Sequence, residues 1–252
     1  MRTSTWRSAT VRCRLSSGCR RVATRESSRI SRVSERLPDP DPGTWPDDPD
    51  PWIRVLDRGT PVVRIHPTAG PYPARWNAFR SWGPTNSRFD HHPGPTGDHP
   101  DHRILYGSVN GVLVGGTAYP GFVTAHAEYY QSTRTIAPGP SADWIAIFTL
   151  ARPLRLLDLG DSDWVTVAGG NGAITSGPRD RARLWAQAIH RRYPDVQGLV
   201  YPSSVVPAGR AVALWERATP ALPRRAETFA LSDPAIRPMV ENAARRLNYR
   251  LA

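Results

Sequence analysis

The chain has 252 residues, which suits one domain with or without a tail, and no apolar run approaches the roughly 18 residues of a membrane-spanning helix. All 33 basic residues are arginine, which excludes Schiff-base lysine chemistry and a P-loop. The net charge of +11 is concentrated: residues 1–36 hold ten Arg and two Glu, leaving only +3 for the remainder, so the charge describes a tail more than a nucleic-acid-binding domain.

Residues 1–36 are rich in Arg and Ser, lack periodicity and read as a disordered tail. Cys13 and Cys19 both lie there, so the remaining chain has neither a disulfide framework nor a CxxC pair, as in a cytoplasmic protein. The N-terminus has no apolar core of a secretory signal; its composition also fits an organelle transit peptide or an upstream start codon. Residues 37–51, LPDPDPGTWPDDPDP, read as a stiff acidic linker, and the domain is expected over 52–252.

In chain order, Pro61–Ile65 is expected as a first strand, 66–103 as a long loop region, and Ile104–Tyr106 as a short strand. Phe122, His126 and Tyr130 fall on one stripe of a helix over Phe122–Ser132. Trp144–Leu150 and Leu154–Leu159 are strand-like runs broken at Arg152-Pro153. Pro178–Tyr193 carries Trp185, Ile189 and Tyr193 at helical spacing, with Pro178 suited to its first turn. Gly198–Tyr201 and Ala211–Glu216 are two further strands. Ser232 or Asp233 is expected to cap a last helix that starts at Pro234 and buries Ile236, Val240, Ala243 and Leu247. Strands and helices do not alternate strictly, so the fold class is α+β rather than a doubly wound sheet.

Several motifs are weak. Asp90–His102, DHHPGPTGDHPDH, holds four of the seven His, but its spacing fits no tight metal site; it reads as a solvated loop, and no metal is expected. No G-x-S-x-G elbow is present for a serine nucleophile. Gly111–Gly116 and Gly169–Gly172 lack the G-x-G-x-x-G pattern and read as turns. A dispersed set is more informative: Arg64 and Arg88, Tyr106, Glu128 and Ser203, with Ser204 as the neighbouring alternative. Glu128 sits among Ala, His and Tyr, where an unpaired carboxylate would cost several kcal/mol to bury, so it is expected to face a pocket or an Arg. Two Arg, a Glu, a Tyr and a Ser suit a ligand with phosphates and ribose hydroxyls.

The order VVRIHP, SRFDHHP, ILYGS, AEYYQSTRTI, SGPRDRARLWAQAIHRRYPDVQGLVYPSS and AVALWERA resembles the RES domain family over about 54–217. The resemblance implies a compact α+β, mixed-sheet domain like bacterial ADP-ribosyltransferase toxins. It implies a toxin of a toxin–antitoxin pair that destroys NAD+ by hydrolysis or phosphorolysis of the nicotinamide–ribose bond, or transfers ADP-ribose to protein. Its partner would be an Xre-type antitoxin, through which alone it would meet DNA. Carried over residue by residue, Arg64 and Arg88 would bind the NAD+ phosphates. Tyr106 would contact the nicotinamide side, Glu128 would stabilise the ribosyl cation or activate the nucleophile, and Ser203 or Ser204 would orient the ribose or amide. NAD+ is then substrate, and no cofactor is expected. Two departures stand out: Tyr106 and Glu128 are separated by the insertion-like GVLVGGTAYPG, and Ile65 follows Arg64 where the family commonly has an aromatic. A basic nucleic-acid-binding protein, a degenerate RES binding module and a homo-oligomer are the remaining readings.

Overall fold

The computed structural model describes residues 36–138 and 143–252. The expected disordered tail, with Cys13 and Cys19, falls outside the described residues except for Arg36. Eight strands form the main sheet: β1 (Ile53–Leu56), β2 (Pro61–Pro67), β3 (Ile104–Val109), β4 (Asp143–Thr149), β5 (Leu154–Asp158), β6 (Gly198–Pro202), β7 (Arg210–Trp215) and β8 (Glu227–Ala230). Their spatial order is β1-β5-β6-β7-β3-β2-β4-β8. Only β5 and β6 pair in parallel within this sheet; every other neighbouring pair is antiparallel. A parallel pair needs a crossover, and α2 (Trp164–Val167), α3 (Ala173–Ser176) and α4 (Arg179–Arg192) supply it. The class is therefore α+β with a mixed sheet, as the irregular element order indicates.

The expected strands and helices are present with shifts of one to three residues at most ends. Short edge strands β1 and β8 were not foreseen. Pro178 is the cap of α4, in extended conformation, rather than part of its first turn. The last helix, α5, spans Arg237–Leu247 and not from Pro234: Asp233 caps a preceding turn, accepting from the Ala235 amide at 2.8 Å. Ile236, Val240 and Ala243 are buried as its apolar stripe requires, whereas Leu247, at the helix end, is only half-buried.

Helix α1 spans Gly121–Tyr129, and its residues from Gly121 to Ala127 are all buried. It is buried on every side, Thr124 and His126 included, because it is held between the sheet and α5. Gly121 permits the close approach, since a Cβ there would stand 2.9 Å from the Val109 carbonyl carbon at the end of β3. This contact fixes where the other end of α1 projects, and Glu128 lies at that end.

Residues 37–51 are not a free linker. Leu37 and Trp45 are buried in the core formed with α4. Trp45 packs on Trp164 and Trp185 with ring centroids at 5.2 and 5.3 Å. The indole of Trp45 donates to the Ala168 carbonyl at 3.1 Å, that of Trp185 to Pro38 at 2.8 Å, and the Tyr193 hydroxyl to Pro46 at 2.8 Å. Proline-rich composition gives an extended strap here, but its two large apolar side chains have a groove to fill. The folded unit thus reaches back to Leu37.

The His-rich segment is likewise not solvated at its start. Asp90, His91 and His92 are buried. Asp90 Oδ2 accepts from the Arg80 guanidinium at 2.9 Å, the Thr85 amide at 2.7 Å and the Thr85 hydroxyl at 2.9 Å, while Oδ1 bonds His92 Nδ1. A buried carboxylate is tolerable because it is this fully paired.

Candidate active site

A cleft of about 260 Å³ opens over β2, β3 and the end of α1, near the small end of the range for small-molecule sites. Arg64, Arg88, Tyr106, Glu128 and Ser204 all line it. Five of the six expected site residues, from five separate segments, therefore converge on one cavity. Ser203 stands directly behind Glu128.

Arg64 projects from β2, with Nη1 donating to the Ala78 carbonyl at 3.1 Å. Burial, and next the nearby Arg80 charge, push its pKa down to about 10, so it remains a cation at neutral pH. Arg88 comes from the loop before β3 and is held by the carbonyls of Ile174 (3.3 Å) and Gly177 (2.9 Å) at the foot of α4. Its pKa is lowered chiefly by burial. The next residue, Phe89, has a φ of 62°, a left-handed conformation that is costly for an aromatic residue. That turn sends Phe89 into the core against Tyr201, ring centroids 4.5 Å apart, and leaves Arg88 facing the cleft.

Tyr106 lies on β3, and its hydroxyl donates to the Arg88 carbonyl at 3.0 Å. Its hydroxyl therefore serves to fix the arginine loop, and burial raises its pKa. The aromatic ring is the part left for contact with a ligand.

Glu128 is not mid-helix, because α1 ends at Tyr129. A carboxylate there faces the negative end of the helix dipole, an unfavourable place that helix stability does not select. Its Oε1 accepts from the Ser203 hydroxyl at 2.6 Å. Burial raises the Glu128 pKa; the Ser203 hydrogen bond, the charges of Arg88 and Arg179 and the Ser204 amide oppose that rise. Ser203 is buried, and its Oγ also accepts from the amides of Val205 (3.2 Å) and Val206 (3.1 Å). The hydroxyl proton thus points at Glu128, and Ser203 orients the carboxylate. Ser204 is exposed and lines the cavity itself. The two serines have divided the role left open between them.

The cleft also contains Arg179, Gln131, Tyr129 and Tyr201, which the sequence reading did not select. Arg179 is the first residue of α4, and donates to Gln131 Oε1 at 2.9 Å and the Asn86 carbonyl at 3.0 Å. Its signal was its place in SGPR, inside the longest segment that carries the family resemblance. Three arginines around one carboxylate leave the cleft net positive, as an anionic ligand with a ribosyl centre would need.

No match is found among curated proteins. Among solved structures, similarity is found to a chain from the crystal structure of the M. tuberculosis MbcT–MbcA toxin–antitoxin complex, at 10% identity and a TM-score of 0.45, covering 73% of this chain and 91% of that one. The RES domain family profile matches residues 51–234. That match takes in every cleft residue from Arg64 to Ser204, and the chain belongs to the RES domain family.

Proposed function

We propose that this protein cleaves the nicotinamide–ribose bond of NAD+ and acts as the toxin of a toxin–antitoxin pair. The observation that carries the reading is the Glu128 carboxylate, held by Ser203 at 2.6 Å, in a cleft walled by Arg64, Arg88 and Arg179. In this reading the arginines bind the pyrophosphate, each fork matching phosphate oxygens. The C1′–N bond breaks with its electron pair moving to the nicotinamide nitrogen, which loses its positive charge. The leaving group needs no proton. The oxocarbenium-like ribose is stabilised by Glu128, which must be ionised, and water or phosphate then adds to C1′. Family membership supports the toxin role and an Xre-type antitoxin partner.

The test is NAD+ turnover by the full-length protein beside Glu128→Gln, with and without phosphate. Free ADP-ribose names water as the acceptor, and its 1″-phosphate names phosphate. Transfer of ADP-ribose to protein, without free product, would support the alternative that the same cleft modifies a protein. No turnover by folded wild type overturns NAD+ cleavage.

A further inference from the structure

We propose that His91, His190 and Glu216, with His102 at their side, form a metal site suited to zinc or a similar divalent cation. The site lies outside the cleft and does not depend on the reaction proposed for it.

The residues come from distant elements. His91 follows the Arg88–Asp90 turn, His190 lies in the last turn of α4, and Glu216 follows β7. One ligand atom of each of the three lies within 4.8 Å of the others. Glu216 bridges the pair, with Oε1 at 2.8 Å from His190 Nε2 and Oε2 at 3.3 Å from His91 Nε2. The rings of His91 and His190 lie 4.4 Å apart, and His102 approaches them at 5.7 and 5.2 Å. Trp215 closes one side, its ring 5.4 Å from His91 and 5.0 Å from His190.

Burial separates this cluster from ordinary surface histidines. His91 is 1% exposed and His190 7%. His91 Nδ1 is buried without any hydrogen-bond partner, and so is the Trp215 indole nitrogen. An unmet polar atom of this kind is costly to bury. Packing three imidazoles around one carboxylate is poor design for a hydrogen-bonded core. It is a suitable arrangement for a cation bound at about 2.0–2.2 Å by nitrogen and oxygen. Small closing movements would bring the three ligand atoms to tetrahedral spacing, with His102 or water as the fourth. Imidazole-rich ligation selects zinc over magnesium or calcium. Arg217 also reaches Glu216 Oε1, at 3.5 Å, but its Nη groups are held by the carbonyls of Tyr193, Val196 and His190 at the end of α4. The ion would tie the His91 loop to α4 three residues after Arg88, and so brace the loop that presents it.

Full-length protein purified without chelator is assayed for metal by mass spectrometry, then stripped and titrated with Zn(II) or Co(II) alone. The expected result is about one ion per chain, visible cobalt d–d bands without a thiolate charge-transfer band, and a higher melting temperature with zinc. His190→Gln and Glu216→Gln should each weaken zinc binding by more than about tenfold, since even outer ligands of zinc sites contribute that much. A thiolate band would place the ion on Cys13 and Cys19 and overturn the assignment. So would binding unchanged in both variants, or no stoichiometric ion and no cobalt spectrum in the wild type. The wild-type spectrum decides the matter even where a variant fails to fold.

Discussion

Ser203→Ala separates orientation of Glu128 from its charge. The substitution removes the 2.6 Å bond to Glu128 and the acceptor for two amides, at 3.2 and 3.1 Å. Val205 and Val206 are only half-buried, so water replaces the acceptor for their amides at small cost. Glu128 keeps the Ser204 amide and the Arg88 charge. The remaining loss is one hydrogen bond to a charged group, worth about 1.5–3 kcal/mol. If that bond holds the carboxylate in its reactive position, kcat falls by roughly ten- to a hundredfold, while KM changes little. The Ser203 bond also opposes the raised pKa of Glu128, so its removal moves the acidic limb of the pH–rate profile to higher pH. The assay is NAD+ turnover by full-length protein from pH 4 to 9, beside a melting curve that confirms folding. An unchanged kcat with an unmoved acidic limb would refute the positioning role of Ser203.

Arg179→Ala should raise KM by about ten- to a hundredfold with a smaller effect on kcat, because it removes a charge-assisted contact to the bound phosphates; steady-state kinetics read the split. Trp45→Ala should cost about 3–5 kcal/mol of stability through the emptied space between Trp164 and Trp185, measured by urea unfolding. A chain begun at Trp52 should melt well below the full-length protein, since it lacks both Leu37 and Trp45 from the core. The folded-state pKa of Glu128 lies above 4.5, so the native state binds more protons than the unfolded state in that window. Stability therefore falls as pH rises through it, and wild type should lose ground to Glu128→Gln between pH 4 and pH 8 in paired unfolding curves.

The residues that were legible in the sequence are those whose neighbours in the chain explain them. The apolar runs of β4 and β5, the spacing of Trp185 and Ile189 on α4, and an uncharged setting around Glu128 all gave their roles locally. Ile53–Leu56 and Glu227–Ala230 did not, because runs of four residues are too short to establish an alternating pattern. Trp45 was hidden by its composition: the six prolines and five aspartates of residues 37–51 said linker, while its true partners, Trp164 and Trp185, lie far along the chain. Asp90 and His91 failed for the same reason, as Arg80, Glu216 and His190 determine their burial. Arg64, Arg88, Tyr106, Glu128 and Ser203, with Ser204 as its alternative, were set together by residue chemistry, and the family resemblance supplied their roles. What sequence could not give was the division of labour, with Ser203 behind the carboxylate, Tyr106 holding the Arg88 carbonyl, and Arg179 completing the wall.

The 75 residues between Glu128 and Ser203 give the site a history as well as a geometry. At roughly 5–20 residues per second, a ribosome makes that interval in about 4–15 s. Throughout it, α1 has been synthesised but its carboxylate lacks the hydroxyl that orients it, and until Gly177 is made Arg88 also lacks the Ile174 and Gly177 carbonyls that hold it. Strand β7, which β3 pairs with, comes later still. A nascent chain therefore cannot assemble its cleft until most of it has been translated. If the proposed toxin activity holds, this order of synthesis is a built-in delay, during which a neutralising partner can accumulate.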